Sequence, residues 1–160
     1  MSEIRGIVCA VLGMAFVLCG EEPPVLYAEH VALDVASPEE TAKWWCGHLG
    51  FRVAAKLPVP PHAVFITDST GRFAVELYRA QDTPQAPDYR KTSPERMHLA
   101  FVSQDVDKDV QRLVSAGAEL VSRTQMEGNE LVMLRDPSGI PVQLVKRAKP
   151  LTTLPAEKKD

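Results

Sequence analysis

Three cysteines, Cys9, Cys19 and Cys46, are too few to settle a redox compartment, and loss of the N-terminal residues would leave Cys46 without a partner in the chain. Basic runs are also missing. Apart from Lys158 and Lys159, both signs of charge are interspersed to a formal net charge of −3, which argues against a nucleic-acid partner. The one long apolar run, Ile7 to Cys19, spans 13 residues, short of the roughly 20 that a membrane-spanning helix needs. What the chain does have is 45 % hydrophobic residues over 160, enough for one globular domain with a real core.

The apolar run follows Arg5 and precedes Glu21, Glu22, Pro23 and Pro24, the layout of a secretory signal peptide, although Glu3 dilutes the basic segment; a buried N-terminal helix is the other reading. Residues 1–20 are thus expected to be a signal peptide and 21–28 a leader, with export expected over a cytoplasmic location. Cutting after Ala28 would leave His30 beside the new terminus, so the cleavage is expected earlier.

From Glu29 onward the chain repeats. An offset of 68 residues carries EHVALDV, from Glu29, onto MHLAFVS, from Met97, and places His30 on His98. It also carries Ala42, Trp45, Cys46 and Leu49 onto Val110, Leu113, Val114 and Gly117, and the turn DSTG at Asp68 onto DPSG at Asp136. One offset shared by a strand, a helix and a turn indicates a duplicated supersecondary unit.

Each unit reads as βαβββ. Residues 30–35 alternate with period two, as a half-buried strand does. Ser37 and Glu40 have capping-box spacing, Pro38 suits the first helical position, and Gly50 supplies a left-handed stop. Apolar residues at 42, 45, 46 and 49 make one helical face, placing Cys46 as a small core residue. Strands are predicted near Arg52–Leu57, Ala63–Thr67 and Phe73–Tyr78. The second unit predicts a strand at Met97–Val102, a helix from about Val106 to Ala116, and strands near Glu119–Thr124, Leu131–Arg135 and Pro141–Val145. The fold class is therefore α+β: two paired modules, 29–80 and 97–147, forming an eight-stranded concave sheet with helices on its outer face. Residues 81–96 read as a connector, a plain linker in preference to the functional flap that their length allows, and 148–160 as a flexible tail.

Alternation also sorts the polar residues. With the apolar positions packed on the helices, His30, Glu76, His98 and Gln143 are left on the concave face. Glu76 and Gln143 lie 67 apart, but the apolar triplets Phe73, Val75, Leu77 and Ile140, Val142, Leu144 shift with them, so the two are equivalent and a bulge after the turn glycine is expected to absorb the slip. Two imidazoles, a carboxylate and an amide oxygen suit a divalent ion such as Zn²⁺, Ni²⁺, Co²⁺, Mn²⁺ or Fe²⁺. Tyr78, Arg79 and Arg135 read mainly as solvated strand ends; Asp34 shares the face of His30, while His48 and His62 lack repeat partners.

The paired units, the HVAL and HLAF strand starts, the LGF at the first helix end and the DPSGIPVQL ending resemble the vicinal oxygen chelate superfamily over about Glu29 to Arg147. That superfamily includes glyoxalase I, methylmalonyl-CoA epimerase, extradiol dioxygenases, and fosfomycin- and bleomycin-resistance proteins. The resemblance implies that His30, Glu76, His98 and Gln143 are the metal ligands. The chain departs from the family's DPxGxxxE ending by carrying Gln143, an amide that takes no proton at ordinary pH, which leaves Glu76 as the catalytic base. Three activities are then open: a glyoxalase-type lyase or isomerase, an Fe²⁺ dioxygenase using His30, His98 and Glu76, or a non-catalytic module that sequesters a small molecule. A small-molecule partner is expected in each, and the modules can pair within one chain or across a homodimer. Mass spectrometry of the protein from its native host should find an N-terminus after the apolar run and before Glu29; an intact Met1 on the bulk of it would sink the signal-peptide reading.

Overall fold

The computed structural model describes residues 28–151 together with Leu26, so the expected signal peptide, most of the leader and the tail beyond Leu151 lie outside the described residues. The elements run β1 (His30–Asp34), α1 (Pro38–His48), β2 (Arg52–Lys56), β3 (Val64–Thr67), β4 (Ala74–Tyr78), β5 (Leu99–Val102), α2 (Val106–Ser115), β6 (Glu119–Met126), β7 (Asn129–Arg135) and β8 (Pro141–Lys146). The eight strands divide between two four-stranded sheets, ordered β1-β4-β3-β2 and β5-β8-β7-β6. In each, the first strand pairs parallel with the last and the remaining pairs are antiparallel.

The repeat is visible in the register. Ala32 lies opposite Glu76 and Ala100 opposite Gln143, and Ala32 and Ala100 are equivalent positions. Glu76 and Gln143 are therefore equivalent despite their odd spacing. The slip sits in the turns rather than in a bulge: residues 68 to 73 separate the pair Thr67 and Ala74, but only 136 to 140 separate Arg135 and Pro141. The register irregularities fall instead between Val53 and Ala55 and between Leu120 and Ser122.

Local chemistry sets the helix ends. Pro38 opens α1 and the Ser37 carbonyl accepts from the Thr41 amide at 3.0 Å, but the Ser37 side chain makes no capping bond, so the expected capping box does not form. Asp105 does cap α2, accepting from the Lys108 amide at 3.1 Å. Gly50 and Gly117 stop the helices at φ +75° and +94°, where a side chain would be strained.

One apolar cluster spans both modules. Leu33, Ile66, Val75 and Leu77 of the first sheet and Val132, Leu134, Val142 and Leu144 of the second belong to it, with Ala42 and Trp45 of α1 and Leu113 of α2. Trp45 is fully buried and sits edge-on to Phe51 and to Phe101 of the second module, with ring centroids 5.2 and 6.0 Å away. Its indole donates to the Asp136 carboxylate at 2.8 Å, and the Ile140 amide donates to the other oxygen at 2.8 Å. The helix ends cross-link by a bond made twice: Trp44 donates to the Ala116 carbonyl at 2.8 Å, and Arg112 donates to the His48 carbonyl. Trp44 and Arg112 are repeat equivalents, as are His48 and Ala116. The modules thus join through their helix-bearing sides with local two-fold character.

Asp136→Ala strands two buried donors, each costing about 1–3 kcal/mol. Urea unfolding should show that loss, whereas Asp68→Ala, at the exposed equivalent turn, should cost less than about 1 kcal/mol. Equal losses would refute Asp136 as the joint between modules.

Candidate metal site in two halves

The first half is built on β1 and β4. The parallel pairing sets His30 opposite Ala74 and Glu76 opposite Ala32, so the two side chains stand diagonally on the sheet face away from Trp45. His30 Nε2 lies 3.3 Å from Glu76 Oε2, and the two side chains are 33 % and 20 % exposed. Phe65, opposite Glu76 on β3, meets the imidazole edge-on with centroids 5.7 Å apart. The other nitrogen, Nδ1, contacts the Glu29 carboxylate. The hydrogen bond to Glu29, with the charges of Glu29 and Glu76, raises the His30 pKa against the opposing effect of desolvation.

The second half lies on the other sheet. Gln143 of β8 stands opposite Ala100 and Met133, and His98 immediately precedes β5. His98 Nδ1 lies 2.9 Å from the Pro94 carbonyl oxygen. A carbonyl only accepts, so the proton of a neutral ring sits on Nδ1 and the lone pair on Nε2, the arrangement that presents an imidazole to a metal.

Chemically the donor set fits a borderline divalent ion. Geometrically, the structure brings His30 and Glu76 together and leaves His98 and Gln143 on the second sheet. Among the described residues no three His, Cys, Asp or Glu side chains gather closely enough to hold a metal ion.

The secondary candidates hold the connector. Asp34 accepts from the Ala80 amide at 3.0 Å and pairs with Arg79 at 3.4 Å; Arg79 also donates to the carbonyls of Ala80 and Thr83. Arg135 is not a solvated strand end. It is 7 % exposed, and its guanidinium donates to the carbonyls of Tyr89, Thr92 and Gly139 at 2.6, 2.7 and 3.1 Å. The connector, with its 3-10 turn Tyr89–Lys91, is thereby pinned to β7 rather than being a plain linker. His48 packs at a tilt against Trp44, with ring centroids 5.3 Å apart. Reading the sequence missed Glu29, Phe65 and Pro94; strand alternation could have found Phe65, whereas no periodicity marks Pro94 as the partner of His98.

Similar folds are known. A glyoxalase family protein from Bacillus cereus is 22 % identical, with a TM-score of 0.67 over 78 % of this chain and 96 % of its own. An antibiotic binding protein from a Streptomyces species is 18 % identical, with a TM-score of 0.62 over 79 % and 100 %. A member of the glyoxalase/bleomycin resistance protein/dioxygenase superfamily from Sphaerobacter thermophilus is 17 % identical, with a TM-score of 0.60 over 76 % and 97 %. No curated protein matches the chain. At these identities the likenesses establish the fold, and the match of residues 30–145 to the glyoxalase-like domain adds the family: this chain belongs to the glyoxalase-like domain family of the vicinal oxygen chelate superfamily.

Proposed function

We propose that the protein is a metal-dependent lyase or isomerase of glyoxalase type, acting on a small molecule with adjacent oxygens in a cup built by two copies of the chain. The observation that carries this reading is the register-equivalent placement of Glu76 and Gln143, each on the face of its sheet that the apolar core leaves free. His30 and Glu76 of one copy and His98 and Gln143 of the other would hold the ion. The helices lock the two modules of one chain together through their apolar sides, so each chain presents two half-sites and a second copy supplies their complements.

A bound divalent ion would polarise a substrate carbonyl and acidify the neighbouring C–H. Glu76 is the base: it is the carboxylate on this face beside His30, and it takes the proton and returns it to the adjacent carbon. Gln143 orients through its amide oxygen and carries no proton. Pro94 holds His98 in the ligating tautomer.

A metal-free binding protein is the second reading. It is favoured by the antibiotic binding protein of the same fold.

Elemental analysis separates the two readings. Wild type should hold about one divalent ion per cup, while His30→Ala and His98→Ala each lose it and His48→Ala keeps it. Co-expressing His30→Ala with His98→Ala should restore about a quarter of the wild-type metal, because mixed dimers rebuild one intact cup of their two. No restoration would mean that the cup closes within one chain; no metal under any loading condition would favour the second reading.

The amide supplies a further test. Glu in place of Gln adds a second anionic ligand, so Gln143→Glu should tighten metal binding. Proton exchange at the substrate carbon should vanish in Glu76→Gln and persist in part in Gln143→Glu. Full activity in Glu76→Gln would overturn its role as base.

A further inference from the structure

Both imidazoles are held at the same ring nitrogen. In the first half, the Glu29 carboxylate contacts Nδ1 of His30, and Phe65 meets the ring edge-on with centroids 5.7 Å apart. Glu29 precedes β1, which begins at His30, so strand alternation does not send its side chain to the opposite face. In the second half, the Pro94 carbonyl oxygen lies 2.9 Å from Nδ1 of His98.

The groups that hold the two rings are unrelated. The 68-residue offset carries Glu29 onto Met97, whose side chain has no oxygen, and carries Leu26, 92 % exposed, onto Pro94. Duplication alone would copy one device. Two different devices on the same atom point to a shared requirement, a ring whose Nε2 is left without a proton.

A neutral imidazole carries a single proton, and an acceptor at one nitrogen fixes it there. Two carboxylates compete for the proton of His30. Glu76 Oε2 lies 3.3 Å from Nε2, and the Glu29 contact at Nδ1 is the closer of the two. The Glu29 side chain is 82 % exposed, so water screens its charge and its effect comes mainly through the hydrogen bond.

We infer that Glu29 is the positioning residue of the first half: it accepts the Nδ1 proton of His30 and so leaves the Nε2 lone pair facing Glu76. As a role toward a metal, this rests on the reading of His30 and Glu76 as ligands of one ion. A carboxylate acceptor also makes the ring a more basic ligand than a neutral carbonyl does, so His30 is the stronger imidazole of the pair.

Nitrogen NMR of the histidine rings in the metal-free, full-length protein, at a pH where the rings are neutral, reads the tautomer; titration with Co²⁺ reads the affinity. Wild type should carry the His30 proton on Nδ1. Glu29→Ala should move it to Nε2 and weaken Co²⁺ binding about 10–100-fold, leaving the tautomer of His98 unchanged. Glu29→Gln, whose amide oxygen still accepts, should keep the wild-type tautomer and part of the affinity. A His30 tautomer that Glu29→Ala does not move overturns the inference. So does a change of tautomer in both rings, which would reflect the fold, or an equal loss of affinity in the two variants, which would reflect charge alone. A wild type that binds no Co²⁺ yet loses the Nδ1 proton in Glu29→Ala would overturn the metal reading alone and uphold the hold of Glu29 on the ring.

Discussion

A carboxylate that is 1 % exposed must find its hydrogen bonds inside the protein, and Asp136 finds them in two places that would otherwise be independent. The Ile140 amide belongs to its own turn, while the Trp45 indole belongs to the helix of the other module. Burial raises the Asp136 pKa, and the donors from Trp45, Ile140 and Ser138 oppose that shift. The folded chain therefore holds this proton to higher pH than the unfolded chain, so the stability due to protonated Asp136 fades as pH rises above the ordinary carboxylate range. Because Trp45 is also edge-on to Phe51 and Phe101, this one residue ties the packing of both modules to the geometry of the turn before β8. That turn sets where β8 begins, and so where Gln143 stands.

The duplication made most of this fold legible in the sequence. An offset that moves a strand, a helix and a turn together leaves little freedom in the order of elements, and the observed strands begin or end within a residue or two of the expected positions. What went unread was non-periodic. β6 and β7 continue to a tight hairpin at Glu127 and Gly128, with φ +48° and +78°, because a two-residue turn lets the ladder run to Met126 and Asn129. The proposed bulge was the wrong device: a turn one residue longer absorbs the slip without breaking the pairing. The capping box failed because a side chain with capping spacing need not bond when the backbone carbonyl already accepts, and Ser37 is exposed.

The candidate residues were legible for a simpler reason. Period-two alternation decides which side of a sheet a residue joins, and the core claims one side completely. Which faces then meet was not legible, because that depends on how two copies of one unit pack rather than on the pattern within either. The connector shows the same limit. Its prolines suggested a passive link, yet Arg135 holds its backbone and Pro94 orients His98, so it helps set the second half-site.

The two halves have diverged in opposite electrostatic directions. In the first, both nitrogens of His30 face carboxylates, Glu29 and Glu76. In the second, the residue before His98 is Met97, the glutamate is replaced by Gln143, and the imidazole is steadied by a neutral carbonyl. Carboxylates therefore surround the imidazole of the first half, while an amide and a backbone carbonyl accompany that of the second. Held by one carboxylate, two imidazoles and an amide, as proposed, a divalent ion would keep net positive charge, where a second glutamate would cancel it. In the proposed mechanism, the substitution that removes a possible base from the second half would leave Glu76 opposite a more strongly polarised substrate. Apolar neighbours of Gln143 such as Ala100 and Met133 would strengthen that charge's pull, because a polar interaction is stronger where the surroundings cannot solvate it.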